Sequence, residues 1–199
     1  MIGFWLMMIG SYLLGSIPCG LVVGRLAAQR DVRDMGSGNI GATNVLRTIG
    51  RGWGFLTLVG DMLKGALPVL VALRLWPERA DLVAWIGLAA VIGHCHSAFL
   101  GFKGGKGVAT AMGVFVLFSA KAAAVGAAVF TFSVVFSKRV SLGSIAGILA
   151  AFVSLWFFTD RGTALIAFGL LTGLIILRHK DNIVRLIQGR ESKLNLSRS

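Results

Sequence analysis

The sequence predicts an all-α, polytopic integral membrane bundle of about seven transmembrane helices, and three observations carry the prediction. Only 14% of the 199 residues are charged and 56% are hydrophobic, with a mean hydropathy of +0.81, whereas a soluble domain carries about 25% charged residues. The apolar residues fall into runs close to the ~20 residues that span a bilayer. The basic residues gather on alternate connections, as expected when cytoplasmic loops hold the Lys and Arg excess. Together they imply one membrane-embedded unit, residues 1–199, with its N-terminus outside and its C-terminus cytoplasmic.

Each element follows from the chain. The run Ile2 to Ala28 continues into Gly-Arg-Leu-Ala-Ala-Gln-Arg with its positive charges on the C-terminal side, so it reads as a retained helix rather than a cleaved signal. Further spans follow at Gly52 to Leu75, Leu82 to Leu100, Val140 to Thr159 and Gly162 to Leu177. The block Val108 to Ser137 is too long for one straight crossing and is interrupted around Ser119 and Lys121, so it predicts an outward and a returning helix, both short. Seven spans place fifteen of the twenty basic residues inside and Arg74, Arg79, Lys121 and Arg161 outside, with Lys64 within the second span. A single helix over that block would move Lys138 and Arg139 outside and break this asymmetry.

Composition also removes several functions. The formal charge of +12 is spread over membrane-proximal loops without interleaved aromatics, and no helix-turn-helix or zinc signature accompanies it, so anionic lipid headgroups fit better than nucleic acid. Cys19 and Cys95 read as packed thiols, not a disulfide or metal framework. Of the eight carboxylates, Glu78, Asp81 and Asp160 fall outside and no paired acid motif remains inside. Two-carboxylate and metal-dependent chemistry therefore have little support, and no G-x-S-x-G elbow is present.

Four unusual segments share the cytoplasmic side. In Arg30 to Gly52, the turn Gly36-Ser37-Gly38-Asn39 precedes a short amphipathic helix, Ile40 to Ile49, ended by Gly50. A helix start with Ser37, Asn39 and Thr43 as donors, and Arg47 one turn on, suits an anion as well as an ordinary cap. The loop GFKGGKGVAT, Gly101 to Thr110, resembles a nucleotide loop but fails the Walker spacing at Leu100 and Gly107. Its glycines Gly104, Gly105 and Gly107 can bring backbone close to an anion, Lys106 adds a point charge, and Val108 begins a helix whose positive end faces the loop. In SKRVSLGSIAG, Ser141 and Ser144 share a helix face. After the last span, His179 and Asn182 stand three apart, with Arg178, Asp181 and Arg185 on an adjoining face. Rich in donors and cations, these segments read as a phosphate holder, for one large anion or for two phosphorylated substrates held together.

GSGNIGATNVLR, GFKGGKGVAT, VSLGSI and RHKDNIVRLIQGRE, in this order, resemble the PlsY family of bacterial membrane acyltransferases, and the likeness covers almost the whole chain, including GSIPCG and GDMLKGALPVL. The resemblance implies a multi-pass protein of the bacterial inner membrane whose site faces the cytoplasm. It implies transfer of a fatty acyl group from acyl phosphate to the 1-hydroxyl of glycerol 3-phosphate, without cofactor or metal, giving 1-acylglycerol 3-phosphate and inorganic phosphate. His179, Asn182, Ser37 and Arg47 take catalytic positions. Asn39, Gly104, Gly105, Lys106, Gly107, Ser141 and Ser144 take substrate-phosphate positions, and Glu191 a structural one. One departure is His96-Ser97, where the family usually has an aromatic and a proline. The rival class is a small transporter for a phosphorylated solute, which predicts binding groups near the bilayer midplane, where Asp61 and Lys64 are the clear ion-pair candidates.

Overall fold

The structure, a computed structural model, describes residues 1–159 and 162–194. Asp160 and Arg161, placed outside above, and Arg198, one of the fifteen basic residues placed inside, lie outside the described residues. Ten α-helices and two short 3-10 turns, with no strand, make up the described chain. They are α1 (Ile2–Ser16), α2 (Cys19–Ala28), α3 (Ala42–Thr48), α4 (Arg51–Leu75), α5 (Ala80–Cys95), α6 (Val108–Phe118), α7 (Ala120–Ser137), α8 (Val140–Phe158), α9 (Gly162–Arg178) and α10 (Lys180–Ile187).

By length and apolarity five stretches can cross a bilayer, Ile2–Ala28, Arg51–Leu75, Ala80–Leu100, Ala120–Ser137 and Val140–Phe158. A sixth forms when α9 and α10, bent by 57° at their junction, are taken together. The block after the glycine-lysine loop divides into two helices as its sequence suggests. Ser119 ends α6 in an extended conformation, and its side chain accepts a hydrogen bond from the N–H of Ala122 to start α7. The two are unequal, however. With 11 residues, α6 rises about 16 Å, roughly half the ~30 Å hydrocarbon thickness. It is the short member of the seven apolar segments.

α5 is the centre of the bundle, packed against α1, α4, α6 and α9. It is predominantly apolar and largely buried, with Val83, Ile86 and Val91 completely so. Close approach to α1 depends on small residues: a Cβ on Gly15 would sit 2.1 Å from the Ala90 carbonyl oxygen, and one on Gly93 2.1 Å from that of Tyr12. Hydrogen bonds fasten the same contact. Ser11 donates to the Ile86 carbonyl at 2.7 Å, and Tyr12 donates to that of His96 at 2.9 Å. Ser97 is buried and donates to the Ser16 carbonyl at 2.6 Å, joining the end of α5 to α1.

The first span is broken at Ile17-Pro18, because proline has no N–H with which to continue the ladder. Lys64 of α4 reaches this break: its Nζ donates to the Ile17 carbonyl at 2.7 Å and lies 2.9 Å from Asp61 Oδ1, with both side chains buried. The one ion pair that sequence placed towards the interior thus supports a helix break. Between α2 and α4, residues 30–50 form a compact cap in which Val32, Ile40 and Val45 bury against Leu21 and Val23.

Candidate active site

The alternating helix directions bring the four polar segments to one end of the bundle, and specific bonds join them there. The link from the glycine-lysine loop to the end of α9 is the most direct. Lys106 Nζ donates to Asn182 Oδ1 at 2.5 Å, Asn182 Nδ2 donates to Glu191 Oε1 at 2.6 Å, and Glu191 Oε2 accepts from Arg185 Nε at 2.7 Å. One amide therefore aligns an ammonium on one side and a carboxylate on the other. The sharp turn at His179 makes this possible, because it swings α10 across the loop.

His179 is 2% exposed, and its Nδ1 lies 2.8 Å from the Ile175 carbonyl oxygen. A carbonyl only accepts, so Nδ1 carries the proton and, in the neutral ring, Nε2 is left as an acceptor. Burial comes first among the influences on Lys106, and Arg185 and Arg47 add to it; against the opposing pull of Glu191 and Asp181, its pKa falls to about 8. Burial pushes the Glu191 carboxyl up, but Ser141, Asn182 and Arg185 outweigh it and hold the group below the ordinary value. Ser141 Oγ is buried close enough to favour the charged carboxylate but is not aligned as a hydrogen bond, so we count it as a neighbour only.

The glycines of the loop are required by packing. The N–H groups of Gly104 and Gly105 donate to the carbonyls of Cys95 and His94 at 3.2 and 3.0 Å. A Cβ on Gly104 would stand 2.0 Å from the His94 carbonyl oxygen, and one on Gly105 2.2 Å from His94 Nε2. These two residues, expected to offer N–H groups to a phosphate, instead spend them on the end of α5. What remains to meet an anion is the Lys106 ammonium and the start of α6, which Gly107 introduces with φ of 83°.

The first segment is built otherwise. Asn44 donates to the carbonyls of Val32 and Met35 and accepts from the N–H of Ser37 at 2.9 Å, wrapping the turn around one buried amide. Asn39 accepts from the N–H of Gly41 at 2.9 Å, a local turn bond that favours a bend over helix. The helix expected from Ile40 to Ile49 is accordingly shorter, the seven-residue α3, and its N-cap is Gly41 rather than the Ser37–Asn39 turn. Ser37 is exposed. Arg47 bridges the segments, donating to Ser192 Oγ at 3.3 Å, while the N–H of Leu194 donates to the Lys138 carbonyl at 2.6 Å. The stretch after α10 thereby touches three of the four segments through Arg47, Asn182 and Lys138.

Ser144 is placed differently from its neighbour. It lines a narrow apolar crevice between α6, α7 and α8 with Val108, Phe115, Phe130 and Ile148. Sequence reading missed the part played by Asn44, although an asparagine inside a helix commonly signals a side chain bonded elsewhere. It also left Arg178 on an adjoining face, whereas its Nη2 and Nε donate to the carbonyls of Gly104 and Gly105 at 2.8 and 3.1 Å. No group of three or more metal-ligating side chains occurs among the described residues.

A helical membrane bundle with a cationic, donor-rich end and a glycine-lysine loop belongs among membrane proteins that handle phosphorylated molecules. Comparison makes the assignment specific. The model of the glycerol-3-phosphate acyltransferase family matches residues 5–189, and the chain belongs to this family, the PlsY acyltransferases. It is 50% identical to the glycerol-3-phosphate acyltransferase of Trichlorobacter lovleyi over 96% of each chain. With that of Syntrophotalea carbinolica it shares 47% identity over 97% of this chain and 98% of the other. Its fold superposes with a TM-score of 0.93 on the crystal structure of PlsY (YgiH), an integral membrane glycerol 3-phosphate acyltransferase, in the glycerol 3-phosphate form. That match is 39% identical and covers 97% of this chain and 96% of the other. The lysophosphatidic acid form of the same protein superposes at 0.91, with 38% identity.

Proposed function

We propose that this protein transfers a fatty acyl group from acyl phosphate to the 1-hydroxyl of glycerol 3-phosphate, giving 1-acylglycerol 3-phosphate and inorganic phosphate, the first step of membrane phospholipid synthesis. It acts as one unit in the bacterial inner membrane, with the N-terminus outside and the C-terminus and site facing the cytoplasm. The observation that carries the reading is the Lys106–Asn182 contact between the glycine-lysine loop and the α9–α10 corner, in a chain whose family is named for this acceptor. Lys106 and the start of α6 hold the acceptor phosphate. Ser37, Asn39 and Arg47 complete the anion-binding surface, and Ser141 sits beside Glu191.

The chemistry needs no enzyme nucleophile, because phosphate is a good leaving group. The glycerol 1-oxygen attacks the acyl carbonyl carbon, forming the new C–O bond as the C–O bond to phosphate breaks, and the hydroxyl proton leaves with the phosphate. Asn182 and His179 orient the reactants, so that the hydroxyl hydrogen points at an oxygen of the acyl phosphate. The buried ring, fixed through Nδ1, suits an orienting acceptor better than a base that must exchange protons with solvent. His179→Gln, which keeps an acceptor near the Nε2 position, is expected to retain appreciable activity; loss of turnover with intact substrate binding would make the imidazole the base.

The test supplies the purified protein with acyl phosphate and glycerol 3-phosphate and follows phosphate release together with the lipid product. Equal amounts of both are expected. No release, with glycerol 3-phosphate instead accumulating in protein-containing vesicles, would favour the transporter. Product formation only from an acyl thioester would overturn the choice of donor.

A further inference from the structure

We infer that Arg178 is a positioning residue for acceptor binding: it clamps the backbone of Gly104 and Gly105 so that Lys106 points at the substrate phosphate. The inference rests on the reading of Lys106 as a phosphate ligand and adds what fixes that lysine. Both polar groups of both glycines are engaged, on opposite sides. Their N–H groups donate to the carbonyls of Cys95 and His94 at the end of α5, and their carbonyls accept from Nη2 and Nε of Arg178, at 2.8 and 3.1 Å. His94 is itself fixed, its Nδ1 3.0 Å from Thr110 Oγ1 in the buried first turn of α6. The loop is thus trapped between an imidazole that leaves no room for a Cβ at Gly105 and a guanidinium from α9.

Arg178 and Asn182 stand four apart, on either side of the His179 bend. The first holds the loop backbone, and the second holds the lysine that follows. A guanidinium suits the first task, since its planar fork reaches two adjacent carbonyls at once and keeps its charge at any working pH. Lysine in the same place has one point-like donor group and cannot span both. Without Arg178 the Gly104 and Gly105 carbonyls lose their partners, the following peptide is free to rotate, and the Lys106 ammonium is displaced from the phosphate. The expected signature is a defect in acceptor KM rather than in turnover at saturation.

The experiment compares Arg178→Ala, Arg178→Lys, Lys106→Ala and the Arg178→Ala/Lys106→Ala double variant for KM towards glycerol 3-phosphate and kcat, at saturating acyl phosphate. Arg178→Ala should raise KM about tenfold with a smaller change in kcat, as loss of charge-assisted bonds predicts. Arg178→Lys should fall between it and wild type. In the Lys106→Ala background, Arg178→Ala should add less than about threefold, since the lysine it positions is gone. Equal effects in both backgrounds, or a kcat loss at unchanged KM, would overturn the inference. If Arg178→Ala does not fold, Arg178→Lys decides, and a wild-type KM there overturns it as well. Should Lys106→Ala itself leave KM unchanged, the phosphate reading falls and takes the positioning role with it. A KM defect in Lys106→Ala without one in the Arg178 variants sinks only the positioning role.

Discussion

Two glycine-rich segments, residues 30–50 and 101–107, look alike in sequence and are held in opposite ways. The first is organised from within: Asn44 gathers Val32, Met35 and Ser37 around one buried amide, and Gly36 and Gly38 adopt positive φ to make the turn. The second is organised from outside, by the end of α5 below it, Arg178 above it and Asn182 at its lysine. Gly36 and Gly38 answer a backbone requirement, whereas Gly104 and Gly105 answer a steric one. Local damage should therefore stay local in residues 30–50 and spread across the whole site in 101–107.

The largest expected effect comes from Gly104→Ala. Its Cβ would meet the His94 carbonyl oxygen at 2.0 Å, and backbone cannot yield as a flexible side chain does, so the loop must move. A displacement near 1 Å costs on the order of 100-fold in rate, measurable as kcat/KM for glycerol 3-phosphate. Activity close to wild type would mean the loop is not clamped. Next comes pH. Lys106 has its pKa lowered to about 8, so its positive charge is present below that value and is lost as pH rises through it, while the substrate phosphate, with its second pKa near 6, is already a dianion. The kcat/KM profile for glycerol 3-phosphate should fall above about pH 8, and the fall should vanish in Lys106→Ala. An identical fall in that variant would assign it to another group.

The smallest effect is expected at Asn44. Asn44→Ala removes three hydrogen bonds within one segment and should lower stability by about 1–3 kcal/mol, seen as a lower Tm, while the rise in acceptor KM through the loosened Ser37 turn stays well below the effect of Gly104→Ala. If Asn44→Ala disables the enzyme as fully as Gly104→Ala, the contrast between the two segments is broken.

Much of this was legible because it depends on spacing. Runs of apolar residues marked the helices, Ser119 marked the division between α6 and α7, and Lys106, His179 and Asn182 declared themselves as polar residues beside membrane helices. The rest depends on which surfaces meet. Nothing local says that the N–H groups of Gly104 and Gly105 turn towards α5, that Arg178 reaches back over 73 residues to a backbone carbonyl, or that Ser141 faces Glu191 while Ser144, one turn on, faces an apolar crevice. Asp61 and Lys64 were visible as a pair, but their task required knowing where the break at Pro18 falls against α4.

The central claim is that the glycine-lysine loop and the α9–α10 corner together hold the phosphate of glycerol 3-phosphate. Equilibrium binding of glycerol 3-phosphate to the purified wild-type protein and to Lys106→Ala, without donor present, tests it most directly. A weakening of about 10- to 100-fold is expected from loss of one charge-assisted contact. Unchanged affinity in a folded Lys106→Ala protein would contradict the claim and leave the loop holding something else.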